Sequence, residues 1–328
     1  YKPSESLMSC LKAALLARLD PGLAIPVEAE KNAGILSRSL SFLTTAILGL
    51  LEPLSVAYGN GVAIRNWLYE TGRLKTYRPP CPTVCVGNIT AGGTGKTPAV
   101  ILVCQLLREM GRRPALLSRG YGRSERAVRV LTAAELEALG PRQALARFGD
   151  EVLTIASHMP DLPIVVSQDR AAAARAACDR FAPDVLVMDD GFGHLRLQRD
   201  LDILMFDARS PFANGRLLPR GLLREPVWAI ERAKVAIVSR TDQYTSEELA
   251  ATDEAIRLHN PDITLIHSVH RPTGLRRVSD QQLLLLSHLS AKKVLAVCGI
   301  ARPNSFFATL SELGAVVTGV PFADHHIF

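Results

Sequence analysis

An α/β fold with a doubly wound, mostly parallel sheet is what this sequence predicts, and three observations predict it. Short apolar runs rich in Val, Ile and Leu recur from Pro82 onward without polar alternation, as strands buried on both faces require. The spacers between these runs are long enough for the crossover helices that parallel neighbours need. Of the 328 residues, 48% are hydrophobic but only 5% aromatic, which suits such a sheet better than an aromatic-cored sandwich. The same composition excludes disordered, collagen-like and low-complexity classes.

Taken in order, residues 1–41 carry no pattern that assigns them, and residues 42–80 read as a helical segment. Its apolar run, Phe42 to Ala57, is interrupted by Glu52 and Pro53 and falls short of the roughly 20 residues a spanning helix needs. Arg65, Arg73, Lys75 and Arg78 follow against one acid, Glu70. Two readings stay open: an N-terminal membrane-associating helix lying in the lipid interface beside cationic anchors, or a helix packed on the main domain. The late start of the run, with no A-x-A-like site behind it, disfavours a cleaved signal peptide.

The strands then come in sequence as TVCVG (83–87), PALLS (114–118), PIVVS (163–167), DVLVMDD (184–190), LDILMFD (201–207) and VAIVS (235–239). TLIHS (264–268) and KVLAVCGI (293–300) follow, the latter leading into a helix-like NSFFATLSEL. The stretch from Asn260 to Leu289 reads as a joint, so one domain is expected over 81–260 and a smaller C-terminal α/β part over 261–328. The chain begins at Tyr1 rather than Met and stops at Phe328 after a polar cluster, which leaves both termini open.

Net charge is +6, from 38 basic and 32 acidic residues, which permits an anionic partner without choosing one. The cations do not interleave with aromatics as a stacking platform would, so no nucleic acid is expected. Six widely spaced cysteines in a chain of this size read as reduced cytosolic thiols, and Cys81 and Cys85 lack the second pair a metal site would need.

Chemistry enters after TVCVG, where NITAGGTGKTPAVILVCQLL opens a glycine-rich turn directly into an apolar-periodic helix. Residues Thr90, Ala91, Gly92, Gly93, Thr94, Gly95, Lys96 and Thr97 are the expected phosphate cradle. Glycines let the backbone curl with its amides inward, and the helix N-terminus adds partial positive charge. Lys96 is expected on the β and γ phosphates and the Thr97 hydroxyl on Mg²⁺. Thr90 stands where the strict pattern has its first glycine, so this is a variant phosphate loop. Asp189 and Asp190, at the end of DVLVMDD, are the expected metal-side carboxylates, with Gly191 permitting a sharp exit and His194 four residues beyond Asp190.

Three further places suit a phosphate acceptor. In SRGYGRSER (118–126), Arg119, Arg123 and Arg126 can pair with a phosphorylated substrate through forked donors; otherwise they form a solvated basic loop. Asp150, opening the run after Gly149, can accept the proton of an attacking hydroxyl or merely cap a helix. Asp324, His325 and His326 pair imidazole with carboxylate near the chain end.

VGNITAGGTGKTP, SRGYGRS, GDEVL, SQDR, DDGFGHLRL, NGRLLPRGLLREP, CGIARP and FADHH, in this order, resemble the tetraacyldisaccharide 4'-kinases across residues 42–328. That resemblance implies a P-loop NTPase-like fold and ATP- and Mg²⁺-dependent phosphorylation of the 4'-hydroxyl of a lipid A disaccharide precursor, at the cytoplasmic side of the inner membrane. It implies Asp150 as catalytic base with His325 as its partner, and Lys96 on the phosphates. Thr97, Asp189, Asp190 and Glu151 fall on the metal side, and Arg119 and Tyr121 near the acceptor. Gly193 departs from the glutamine of the family's usual DDGFQH, and Arg220 and Leu222 depart from PAGPLREP. Members also continue past the DHH region, which implies a shortened second domain. The alternative is a membrane-associated P-loop switch ATPase or GTPase acting through partner binding, suggested by GGTGKT and by SRTD (239–242) after a strand.

Overall fold

The computed structural model describes residues 49–322 other than 124, 126, 281, 301 and 302. It divides into two compact units, one ending at Ser268 and one beginning at Val269.

Among the described residues the larger unit opens with helix α1 (Glu52–Glu70) and then alternates strands and helices. Strands β1 (Thr83–Gly87), β2 (Pro114–Ser118), β3 (Arg129–Leu131), β4 (Ile164–Val166), β5 (Val185–Asp189), β6 (Leu201–Asp207), β7 (Val235–Ser239) and β8 (Thr264–Ser268) form one sheet in the order β3-β4-β2-β5-β1-β6-β7-β8. Every pairing is parallel except that of β3 with β4. The helices are α2 (Lys96–Glu109), α3 (Ala133–Ala138), α4 (Pro141–Phe148), α5 (Asp150–His158), α6 (Arg170–Phe181) and α7 (Ser246–His259).

The unalternating apolar runs have the burial they predict. All five residues of β5 are buried, with Leu186 and Met188 in one core cluster and Val187 in the other, as the period-two pleat demands. The first cluster takes the alanine stripe of α6 (Ala173, Ala174, Ala177) and Ile256 of α7; the second takes Val100 and Cys104 of α2 and Val152 and Ile155 of α5. Helices therefore cover both faces, the doubly wound arrangement. The chain leaves β1 toward the β3 edge and crosses to β1's other side at β6, so the topological switch lies beside β1 and β5. A crevice outside the carboxyl ends of these strands is where open α/β sheets bind ligands.

Two elements depart from the sequence reading. TLIHS pairs residue for residue with β7, from Thr264 against Val235 to Ser268 against Ser239, so the larger unit runs past residue 260 to Ser268. β3 went unread because three residues, two of them only half-buried, carry too little periodicity.

The smaller unit contains a β9 (Leu275–Arg276) and β10 (Leu283–Leu284) hairpin and a parallel pair, β11 (Lys293–Cys298) and β12 (Val316–Pro321), linked by α8 (Pro303–Glu312). Its core gathers Leu289, Ala296, Leu310 and Ala315. The stretch read as a joint thus carries β8, β9 and β10.

Cys81, Cys85, Cys104, Cys178 and Cys298 are free thiols. Cys85 is wholly buried in the sheet, and the Cys81 sulfur lies 4.0 Å from that of Cys178. Residues 1–48, Arg126, Arg302 and the Asp324-His325-His326 cluster lie outside the described residues.

Candidate functional site

The turn after β1 is built as a cradle. Gly92 has φ 118° and Gly95 φ 85°, conformations that strain any residue with a Cβ, and Gly95 caps α2 so that Lys96 starts the helix. The Thr94 hydroxyl accepts from Asn88 Nδ2 at 3.1 Å. Along one side the loop is zipped to the segment before Glu225: Ala91 N–H donates to the Leu222 carbonyl and Arg224 N–H to that of Ile89, both at 2.7 Å.

Asp189 and Asp190 leave β5 beside this loop with opposite electrostatics. Asp189 is buried and accepts from Ser118 Oγ at 3.2 Å; burial, with the Glu151 and Asp190 carboxylates facing it, pushes its pKa up to about 7. Asp190 turns outward with φ 47°. Arg224 grips both its oxygens, at 2.9 and 2.7 Å, and Lys96 Nζ stands 3.9 Å from Oδ1. Burial pushes this carboxyl upward too, but the Arg224 hydrogen bonds and the Lys96 charge outweigh it and hold the pKa at about 2. Burial and like charge thus disfavour the ionised form of Asp189, whereas Arg224 and Lys96 favour that of Asp190.

These groups suit a hard cation. Burial chiefly, and then the Glu151 and Asp190 charges, lift Asp189, so the three carboxylates act on one another, and carboxylate and hydroxyl oxygens are Mg²⁺ donors. Among the described residues no three or more His, Cys, Asp or Glu side chains are gathered so as to hold a metal ion by themselves. Mg²⁺ keeps several waters and shares its shell with phosphates, so it asks few donors of the protein.

Two glycines join the SRGYG loop to the Gly149-Asp150-Glu151 turn. Gly149 (φ 85°) lies so close to the Tyr121 carbonyl that a Cβ would collide with it, and Gly120 (φ 67°) lies equally close to Val166 and the Phe148 carbonyl. The SRGYG loop and the Gly149-Asp150-Glu151 turn are thereby held backbone to backbone. Asp150 opens α5, with its Oδ1 accepting the Glu151 N–H at 2.9 Å. Tyr121 is exposed. Arg123 is turned inward, donating to the Val166 carbonyl at 3.3 Å, so it braces β4 instead of reaching for a substrate.

A cavity of about 580 Å³ opens beside Asp190. Five arginines line it: Arg65, Arg119, Arg170, Arg196 and Arg224. Arg65 pairs with Glu225, Arg196 with Asp169 at 2.9 Å, and Arg224 with Asp190, while Arg170 spans the Ser167 and Asp189 carbonyls. His194 also lines it; burial, then the Arg170 and Arg119 charges, pull its pKa down to about 4, so the ring is neutral at pH 7. Of the sequence-derived site residues, Arg119 and Asp190 line this cavity; Lys96, Thr97, Asp150, Glu151 and Asp189 do not.

Sequence reasoning assigned no role to Asn88, Arg170, Arg224 or Glu225, although each stands in a string that carries the family resemblance (VGNIT, SQDR, LLREP). Charged or amide residues inside such strings, next to buried strand ends, were the available signal. Gly193 leaves room only marginally: a Cβ there would sit 3.0 Å from Glu225 Oε1, so a larger residue requires the Glu225 carboxylate to yield.

Comparison with known proteins gives a consistent result. The family model for tetraacyldisaccharide-1-P 4'-kinase matches residues 47–328. A tetraacyldisaccharide 4'-kinase of Syntrophus aciditrophicus is 39% identical over 287 residues, covering 84% of this chain and 75% of the relative. One from Anaeromyxobacter sp. (strain Fw109-5) is 41% identical over 283 residues, covering 85% of this chain and 75% of the relative. Among solved structures, LpxK from Aquifex aeolicus in complex with ATP superposes with a TM-score of 0.68 at 28% identity, covering 85% of this chain and 83% of that one.

Proposed function

The chain belongs to the tetraacyldisaccharide 4'-kinase family, and we propose that it transfers the γ-phosphoryl group of ATP to the 4'-hydroxyl of an acylated glucosamine disaccharide 1-phosphate, a lipid A precursor. It is therefore a phosphoryl-transfer kinase and not a switch NTPase acting through a partner. The observation that carries the reading is Asp190: its carboxylate meets Lys96 of the phosphate loop and also lines the arginine-rich cavity, so donor and acceptor sites share a wall.

In this reading residues Thr90 to Thr97 cradle the triphosphate and Lys96 neutralises its developing charge. Thr97, Asp189, Asp190 and Glu151 would hold Mg²⁺, which supplies charge neutralisation at the phosphates. Asp150 accepts the proton of the attacking hydroxyl, supported by its place against the SRGYG loop and beside Glu151. Arg119, a cavity cation, and Tyr121 lie on the acceptor side. The start of the loop is fixed by the bridge that pairs Thr90 with Leu223.

The same reading places the protein at the cytoplasmic face of the inner membrane, where ATP and lipid meet. No helix among the described residues is long and apolar enough to cross a membrane. Yet α1 is amphipathic in reverse. Apart from the buried Val62, its body-facing stripe is small and polar: Ser55 donates to the Leu217 carbonyl, Gly59 approaches Leu217, and Asn66 donates to Glu225. Leu54, Val56, Ile64 and Trp67 face outward and exposed, which is costly in water and favourable in the lipid interface. Tyr58, Arg65 and Tyr69 of the same helix line the cavity, so acyl chains leaving it would run along this apolar side.

Incubation with labelled ATP, Mg²⁺ and detergent-dispersed tetraacyldisaccharide 1-phosphate is expected to label the lipid. Label recovered only as free phosphate would overturn the assignment.

A further inference from the structure

The SRTD stretch, residues 239–242, has no role in the phosphoryl transfer described above. Ser239 ends β7 and Arg240 turns the chain, with φ 61° and ψ 35° in the left-handed region where a non-glycine residue is uncommon. Strand register sets Ser239 opposite Asp207, the last residue of β6, so both stand at the same edge of the sheet as the phosphate loop.

The Asp207 side chain is 5% exposed and pairs with one terminal nitrogen of the Arg240 guanidinium. The other terminal nitrogen donates to the Gly93 carbonyl at 3.0 Å. Ser239 Oγ lies 3.1 Å from the Thr94 carbonyl and 3.0 Å from that of Phe206, its single proton serving one at a time. Two successive loop carbonyls, 93 and 94, are thus engaged from the β6 and β7 side, while Asn88 holds the Thr94 side chain.

In a planar trans peptide the carbonyl and the following N–H point in opposite directions. Fixing the Gly93 carbonyl toward Arg240 therefore aims the Thr94 N–H away from it, and fixing the Thr94 carbonyl toward Ser239 does the same for the Gly95 N–H. Gly93 has no side chain to restrain it and Gly92 beside it is at φ 118°, so the loop's amide directions need an outside restraint.

We propose that Arg240, oriented by Asp207 and assisted by Ser239, is a positioning residue that presents the Thr94 and Gly95 amides to the phosphates of the bound nucleotide. This rests on the reading that the loop binds ATP. Arg240 touches neither nucleotide nor acceptor; it lowers the ordering cost of binding by holding the loop ready. A lysine cannot replace it, because a point charge lacks the fork that spans Asp207 and Gly93 at once.

The test measures ATP affinity by calorimetric titration, the KM for ATP and for the lipid acceptor, and Tm, in wild type, R240A, R240K and D207N. Arg240→Ala is expected to weaken ATP binding and raise the ATP KM about tenfold, with the lipid KM held and Tm lowered because Asp207 is left buried without its partner. R240K recovers only part of this, and D207N, which keeps side-chain volume while loosening the guanidinium, shifts ATP affinity in the same direction by less. Equal ATP affinity in wild type and R240A overturns the proposal and leaves the kinase reading standing. A fall in Tm with both KM values rising together in R240A and D207N also overturns it, as a mere loss of fold. Wild type that fails to bind ATP overturns both.

Discussion

Arg224 holds Asp190 by both carboxylate oxygens, Nη1 to Oδ2 at 2.9 Å and Nη2 to Oδ1 at 2.7 Å, across 34 residues of chain. The same guanidinium also donates to the Asn88 side chain, so one residue joins the end of β5 to the start of the phosphate loop. Such forked pairs fix direction as well as charge. Arg224→Lys keeps the charge and removes the fork. A fall in kcat of about 10- to 100-fold is expected, with a stability loss of about 1–2 kcal/mol because the pair is only partly buried. Steady-state kinetics and denaturant titration check both, and an unchanged kcat would leave Arg224 a purely structural brace.

Asp150 is expected to act in the chemical step. Replacing it by Asn preserves shape and the hydrogen bond from the Glu151 N–H while removing the base. The expected loss in kcat is about 10²- to 10⁴-fold with ATP affinity unchanged. Turnover within a factor of two of wild type would return Asp150 to the role of helix-start residue.

Gly149 sets how closely the Asp150 turn meets the SRGYG loop. Its φ of 85° and its approach to the Tyr121 carbonyl both oppose a Cβ. Gly149→Ala is expected to cost about 1–3 kcal/mol and to lower kcat as the two loops part. A thermal melt and an activity assay on the same preparation test this, since Tm and kcat should fall together.

Much of this architecture is legible in the sequence, and what is not has a physical reason. β1, β5, β6 and β7 read directly because a strand buried on both faces must be apolar throughout, and VLVMD and LDILMFD are nearly so. The phosphate loop reads because its glycines and lysine are adjacent and their roles are local. The Arg224–Asp190 fork and the Arg240 contact to Gly93 do not read, because each depends on strands distant in sequence ending at the same edge. Arg123 misleads for a similar reason: nothing local distinguishes an arginine bound for the Val166 carbonyl from one bound for a substrate.

The outward face of α1 makes a separate prediction. Trp67 is exposed, with the Arg73 guanidinium 4.2 Å over its ring, and Leu54 and Ile64 lie on the same helix. Changing Ile64 and Trp67 to Ser removes apolar surface without touching the buried Ser55, Val62 and Asn66. Flotation with anionic phospholipid vesicles is expected to fall several-fold while Tm is retained, given about 25 cal/mol for each Å² of apolar area transferred. Undiminished flotation would mean that another surface carries the attachment.

His194 makes the pH dependence of stability measurable. Burial and the neighbouring Arg170 and Arg119 charges hold its folded-state pKa at about 4, below the 6.5 of a free imidazole. Between these values the unfolded chain binds a proton that the folded one refuses. The contribution is therefore complete above pH 6.5 and is lost as pH falls toward 4, by up to about 3 kcal/mol. His194→Asn has no such proton to refuse, so the difference in unfolding free energy between wild type and variant should shift against wild type by about 2–3 kcal/mol from pH 7 to pH 4.5. Denaturant titrations of both proteins across that range test it; curves that stay parallel would mean that His194 titrates normally and that the arginines around it do not set its charge.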